Sequence, residues 1–294
     1  RVSSLLGSRV ANNKPLAITI DIIAIITTVF GVTTSLGLGT EQISAGISHI
    51  FLIEETFFNK IIIITVITLI GLVSVSLGLD SGIKKLSQIN MILAITLLSF
   101  VFFFGPTVFI LNALIQNFGA YVNTLIESAT WTEVYDDSSW QNGWTLFYYS
   151  WWFAWAPFVS LFIARISYGR SIKEFITGVL FVPSIIVFLW MGIFGNAAIY
   201  QVINETSQIA QVVNNNFDVA LFSLFEVYPL TKFISIVSLI LIVTFFVTSS
   251  DSGALVASML SSKNQSNIKK NIFFNFCKTI YLFGITIFVP KRYY

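Results

Sequence analysis

Between residues 144 and 165 the chain reads Trp-Thr-Leu-Phe-Tyr-Tyr-Ser-Trp-Trp-Phe-Ala-Trp-Ala-Pro-Phe-Val-Ser-Leu-Phe-Ile-Ala-Arg. Trp144, Tyr148, Trp151, Trp155, Phe158 and Phe162 recur at alternating spacings of four and three. On a helix that rhythm makes one continuous aromatic face. Trp144 and Tyr148 are also what an interfacial belt would place at headgroup level. Trp151, Trp152 and Trp155 begin roughly 10 Å further along the helix at about 1.5 Å per residue, at hydrocarbon depth, where an indole N–H needs a partner. Grouped indole faces suit a cation that has no N–H to donate. A trimethylammonium group is such a ligand, and each desolvated contact with Trp is worth about 2 kcal/mol or more. A sugar or an apolar amino acid would stack as well, but would want fixed polar groups that this helix scarcely offers. Packing against neighbouring helices also accounts for the stripe, so three readings stand at this point. Pro157 removes one helix hydrogen bond and frees the carbonyl of Phe153, which predicts a local break beside Trp155. Broken helices at mid-membrane are where transporters hold ligands.

Thr248 and Ser249 place two neutral oxygens near the inner third of another apolar run, the kind of donor a hard cation takes. Alternatively both hydroxyls bond back to carbonyls one turn earlier, as is usual in membrane helices. Asp251 follows directly, at the expected inner end of its span, and Arg165 ends the aromatic run. Their matched depth predicts an ion pair closing the inner side, against two solvated helix ends. Other chemistry is poorly supplied. One histidine, His49, and one cysteine, Cys277, form no ligand set for zinc or haem and no intrachain disulfide. Gly31, Gly37 and Gly39 lack any phosphate-loop pattern and are expected to permit close helix contact. Without a nucleophile elbow or an intramembrane aspartate pair, no enzyme is expected. Asp21 is expected to start a helix or pair with Lys14.

The elements that must carry these residues follow from composition. Of 294 residues, 55% are hydrophobic and 10% charged, whereas a soluble domain carries about 25% charged residues. The protein is therefore expected to be an all-α membrane protein, since continuous apolar runs do not suit a β-barrel. Net charge of +2, scattered, excludes a nucleic-acid footprint. Seven runs are long enough to span, at about 17–39, 60–79, 89–115, 144–166, 174–200, 232–251 and 272–289. Arg9, Lys14, Lys84, Lys85, Arg170, Lys173, Lys263, Lys269 and Lys270 fall in alternate connections, with acidic residues in the others. The basic connections are expected in the cytoplasm, and the N-terminus with them. Leu111, Leu114, Ile115, Phe118, Tyr121, Val122 and Leu125 predict an amphipathic helix at the outer interface, or an extension of the third span. The region 201–231 is expected to form an outer loop with short helical pieces. With Arg1 in first place and no signal peptide, the sequence is expected to be a fragment.

The run Trp144-Thr-x-Phe-Tyr-x-x-Trp-Trp-x-x-Trp-x-Pro-Phe-Val, continuing through Phe162-x-Ala-Arg-Ile-Ser-x-Gly-Arg-Ser-Ile-x-Glu-Phe175, resembles the signature of the betaine/choline/carnitine transporters. Thr34-Ser-Leu-Gly-Leu-Gly39 and Thr248-Ser-Ser-Asp-Ser252 resemble two further family segments. The resemblance implies a partial transporter core of two inverted repeats within one transmembrane unit, residues 1–294. Residues 17–115 would be the last three helices of repeat one, 116–143 the outer segment, and 144–289 the first helices of repeat two. The first two core helices of the family have no counterpart here, and from about residue 271 the likeness fades.

The same resemblance implies roles. Trp151, Trp152 and Trp155 are similar to the substrate-cage tryptophans, with Tyr148 on the same face, Trp144 as an outer aromatic and Phe162 as an aromatic of the permeation path. Trp155, where the carnitine exchanger has Tyr, favours glycine betaine or choline. Phe245-x-x-Thr-Ser249 resembles the sodium-site motif, through the Phe245 carbonyl and the Thr248 and Ser249 hydroxyls. A second sodium position is matched by Thr28 and Phe158, with Val32 where a further threonine is expected. The implied function is ion-coupled import of a quaternary-ammonium osmolyte or precursor through a bacterial-type plasma membrane, driven by sodium or protons. A homotrimer is implied, and no organic cofactor. The alternatives are an exchanger without ion coupling and a non-transporting sensor on the same scaffold.

Overall fold

The computed structural model describes residues 2–76, 84–136, 138–205, 207–261 and 279, without the side chains of Val75, Ser76 and Arg165. Two short helices, α1 (Val2–Leu5) and α2 (Ser8–Asn12), lead into α3 (Lys14–Phe51). Asn13 caps α3, its Oδ1 accepting from the Leu16 N–H at 3.4 Å, and Pro15 fits the first turn, where its missing N–H is not needed. The helix runs twelve residues past the expected end at 39. Thr40 folds its hydroxyl back onto Leu36 O at 2.7 Å, and Glu41 pairs with Lys60 of α4 (Phe57–Ser76). Both polar residues thus stay inside the helix instead of ending it.

The expected third span is two helices, α5 (Lys84–Phe104) and α6 (Thr107–Thr130). Pro106 has no N–H to continue the ladder. The Thr107 hydroxyl donates to Phe102 O at 2.7 Å, and Gly105 N–H donates to Val101 O at 3.0 Å. A Cβ on Gly105 would lie 2.4 Å from Val101 O and 2.9 Å from Tyr228 Oη, so only glycine fits this corner. The segment expected to be amphipathic is a helix of its own, neither a loop nor a continuation of α5.

A π-helical turn, Gln141–Leu146, opens α7 (Phe147–Ile166). Pro157 lies within an uninterrupted α7, so the expected break is absent there and the irregular turn stands at the N-terminal end of the helix. Then α8 (Ile172–Ile203) starts on a capping box, in which Ser171 Oγ accepts from Glu174 N–H at 3.3 Å and Glu174 accepts from Ser171 N–H at 2.9 Å. Short pieces follow, including α9 (Ile209–Asn215) and α10 (Ala220–Leu224), before α11 (Thr231–Ser261). The last helix outruns its expected end by ten residues, because Gly253-Ala-Leu-Val-Ala257 continues a buried apolar run past Asp251. The expected span 272–289 lies outside the described residues, save Thr279.

Among the described residues seven helices are long and apolar enough to cross a membrane, α6 being one of them, and there is no strand. The chain is thus an all-α membrane protein. Two apolar clusters hold the helices together. One joins α3, α4, α7 and α11 around Val32, Leu36, Ile64, Phe158, Val247 and Ala254. The other joins α5, α6, α8 and α11 around Leu97, Val101, Ile110, Ile193, Phe194 and Leu241. Helix α11 belongs to both, and α7 reaches the fold through α3 and α11.

Candidate functional site

The aromatic face of α7 exists as a chain of ring contacts. Trp144 stacks on Tyr148 with centroids 6.1 Å apart and planes 6° from parallel. Tyr148 meets Trp151 at 5.8 Å, Trp151 meets Trp155 edge-on at 6.1 Å, and Trp155 meets Phe158 at 5.1 Å. Before Trp144 the series continues through Trp140, 6.4 Å from Trp144, to Trp131, 5.4 Å from Trp140. Trp140 stands four residues before Trp144, a helical spacing the sequence reading overlooked, whereas Trp131 lies outside the helix and was not legible from spacing. Phe162 is partly buried against the first apolar cluster, continuing the face toward the C-terminal end of α7.

Helix α3 supplies the partners the buried indoles need. Trp155 Nε1 donates to Gly31 O at 3.0 Å, and Trp151 Nε1 donates to Ser35 Oγ at 3.1 Å. Ser35 donates in turn to Gly31 O at 3.1 Å. Gly31 is needed here for space, since a Cβ would sit 2.8 Å from Trp155 Cδ1. Indole N–H groups committed to α3 leave the ring faces free. Tyr148, Trp151, Trp152 and Trp155 line a cleft of about 130 Å³. Trp152 is 69% exposed. It also borders a hollow of about 970 Å³ beside Phe118, Tyr121 and Phe188.

The three oxygens expected to take an ion lie on α11. Thr248 Oγ1 is 2.9 Å from Phe245 O and 3.1 Å from Thr244 O, so it bonds back along its own helix. It also accepts from Asn90 Nδ2 of α5 at 3.2 Å. Asn90 is 3% exposed, and its Oδ1 is buried with no partner. Because the Thr248 proton is taken up by the carbonyls, the threonine must accept from the amide, and Asn90 Oδ1 is the oxygen left over. The sequence reading missed Asn90. The signal was a lone amide in an apolar span, where a polar side chain is expected to be paired or functional. Ser249 is the next residue of the same turn, partly buried. At the second expected position Thr28 donates to Ala24 O at 2.7 Å, Phe158 is buried, and Val32 packs against Gly253 of α11.

Asp251 is not at a helix end: it is 1% exposed within α11, opposite Gly71 and Ser74 of α4. The Ser74 hydroxyl lies alongside, yet neither Ser74 Oγ nor Asp251 Oδ2 completes a hydrogen bond. The Arg165 side chain expected to pair with it lies outside the described residues. Asp21 lies well inside α3 and accepts from Ser3 N–H at 3.1 Å and Ser3 Oγ at 3.2 Å, instead of starting the helix. His49 lies 3.4 Å from Glu226, joining the end of α3 to the 201–231 region. Among the described residues no group of three or more His, Cys, Asp or Glu side chains could hold a metal.

The model of the betaine/carnitine/choline family transporters matches residues 1–290. The chain is 41% identical over 264 residues to the glycine betaine transporter of Acinetobacter baylyi, covering 90% of this chain and 40% of that protein. It is 41% identical over 268 residues to the glycine betaine transporter OpuD of Bacillus subtilis, covering 90% and 51%. To the high-affinity choline transport protein of Escherichia coli K12 it is 40% identical over 260 residues, covering 88% and 38%. It therefore spans about half or less of the length of these relatives. The aromatic face of α7, its hydrogen-bonded backing on α3 and the match along nearly the whole chain lead to one assignment: this chain belongs to the betaine/carnitine/choline transporter family, whose members are membrane transporters and not enzymes.

Proposed function

We propose that the chain carries part of the substrate path of a secondary active transporter importing glycine betaine or choline by alternating access. The observation that carries this reading is the cleft whose walls are Tyr148, Trp151, Trp152 and Trp155, two of them with their N–H donors already satisfied on α3. A trimethylammonium head cannot donate an N–H hydrogen bond, so a wall of π faces serves it better than a polar cage. Each desolvated indole contact contributes about 2 kcal/mol. The relatives above, glycine betaine and choline transporters, agree with that chemistry. Since the chain spans only part of those relatives, import is proposed for the whole protein to which these helices belong.

Sodium is the proposed coupling ion, taken as cargo by Phe245 O, Thr248 Oγ1 and Ser249 Oγ. Support comes from Asn90, which contacts Thr248 through its amide N–H and carries an unpartnered buried oxygen, a neutral donor of the kind a hard cation prefers. Membrane orientation is proposed from charge: basic connections inside a bacterial-type plasma membrane, N-terminal end cytoplasmic, α6 along the outer surface. A homotrimer is the proposed assembly. Exchange without ion coupling is the second reading. It is favoured by Thr248, whose hydroxyl donates along its own helix and accepts from Asn90.

The experiment is uptake of radiolabelled glycine betaine and of choline by the full-length protein in cells lacking their own systems. External sodium is replaced by potassium in one arm and the pH gradient collapsed in another. Accumulation that falls when sodium is removed is expected. Sodium-independent counterflow would select the exchanger, and loss only with the pH gradient would make the proton the coupling ion. Uptake unchanged by joint replacement of Trp151, Trp152 and Trp155 with leucine would overturn the substrate assignment.

A further inference from the structure

One carboxylate assembles the outer end of the aromatic series. Between α6 and the helix opening at Trp140, Glu133 and Ser139 both hold positive φ, 58° and 61°. Non-glycine residues stay there only where their surroundings over-determine them. The Glu133 carboxylate turns back across the loop, accepting from the Trp140 N–H at 3.0 Å, from the Gln141 N–H at 2.8 Å and from the Ser138 hydroxyl. Gln141 Nε2 donates to the Trp131 carbonyl, closing the same loop from the other side. The first N–H groups of a helix have no intrahelical partner. Glu133 takes two of them from seven and eight residues upstream, with its charge at the positive end of the helix dipole. No capping spacing in the sequence predicts such a residue. The Ser138 hydroxyl, aided by the Gln141 and Trp140 N–H groups, holds the carboxyl below the usual carboxylate range, so it is ionised at neutral pH. The ring contacts from Trp131 through Trp140 to Trp144 depend on this turn, and all three indoles are about half exposed.

We propose that Glu133 is a positioning residue that holds the indoles of Trp131, Trp140 and Trp144 in mutual contact, so that an arriving quaternary ammonium ion meets a continuous π surface leading to the Tyr148–Trp155 cleft. It rests on the substrate class proposed above. Glu133 does not touch the ligand. It acts through the indoles, as an anionic cap whose removal frees two helix N–H groups and the strained loop together.

The test uses the full-length protein with radiolabelled choline or glycine betaine, whichever the wild type accumulates. Glu133→Gln keeps the shape but removes the charge that lets one group accept three hydrogen bonds. KM is expected to rise roughly two- to fivefold, the worth of an exposed cation–π contact, with kcat within about twofold. KM does not depend on how much variant reaches the membrane, so poor folding does not mask the result. Trp144→Leu alone raises KM, and adding Glu133→Gln to it raises KM by less than Glu133→Gln does in the wild type, because both act through the same surface. In detergent, the near-ultraviolet circular dichroism of the coupled indoles loses amplitude in Glu133→Gln. An unchanged KM, an effect on kcat alone, additivity with Trp144→Leu, or an unchanged indole spectrum in a transporting protein each overturns the proposal. A wild type that accumulates neither solute overturns the substrate reading, and with it the role in entry; the indole spectrum then still decides whether Glu133 arranges these rings.

Discussion

At the scale of single residues, the two inner tryptophans have separable functions: a ring face for a ligand and an N–H for α3. Trp155→Phe keeps a face but loses the bond to Gly31 O at 3.0 Å. Its cost in substrate affinity is expected to be about 1 kcal/mol, roughly fivefold. Trp155→Leu, which removes the face as well, is expected to cost about 2 kcal/mol more. Substrate Kd by tryptophan quenching checks both, and equal losses in the two variants would mean that the face contributes nothing. Glu133 makes a further prediction through its depressed pKa. Its carboxylate supports the loop fully above the ordinary glutamate value of about 4.3, and that support is lost only as pH falls through the lower folded value. The indole dichroism is therefore expected to be flat from about pH 8 down to that ordinary value and to fade only below it. A midpoint near neutrality would assign the titration to another group.

At the scale of elements, the helix ends are set by polar side chains that find partners. Ser171→Ala breaks the capping box of α8 and is expected to cost about 1 kcal/mol of stability, read as a lower melting temperature of the solubilised protein. The α3–α4 contact holds a sharper case. Lys60 and Glu41 are paired with side chains 9% and 20% exposed. Lys60→Met leaves a part-buried carboxylate without its partner and is expected to destabilise by about 1–3 kcal/mol. Lys60→Met with Glu41→Met is expected to recover most of that, and a double variant no better than the single one would mean the pair is not a buried liability. Helix α6 is decided by labelling. With α6 along the outer surface, cysteines at Glu54 and at Tyr135 both react with an impermeant maleimide from outside. Were α6 to cross, only one of them would.

At the scale of the whole molecule, α11 is the shared wall of two apolar clusters and also carries Phe245, Thr248 and Ser249. The aromatic face reaches the rest of the fold through α3 and α11. A shift of α7 against α11 would thus be felt by both the cleft and the oxygens near Asn90. If sodium and substrate are coupled through this wall, linkage requires that each raise the other's affinity by the same factor. Substrate Kd measured with and without sodium, and sodium Kd with and without substrate, are expected to change in equal proportion. Asn90→Leu is expected to weaken the sodium effect while leaving binding in saturating sodium nearly intact. A variant that retains full sodium dependence would remove Asn90 from the site.

Much of the architecture was legible in the residues because it is local. Apolar runs of membrane length become helices whatever their neighbours, and the four-and-three rhythm puts Trp144 through Phe162 on one face. The Gly105-Pro106 corner was equally local and was overlooked within a longer apolar run. What the tertiary structure alone decided are meetings between residues far apart in the chain. These include Trp155 on Gly31, Asn90 on Thr248 and Lys60 on Glu41. Nothing in local spacing encodes them, because a hydrogen bond between helices depends on how their faces are rotated and packed. The same holds for Asp251, whose place in the sequence reads as a helix end and whose burial follows from α4 lying across it.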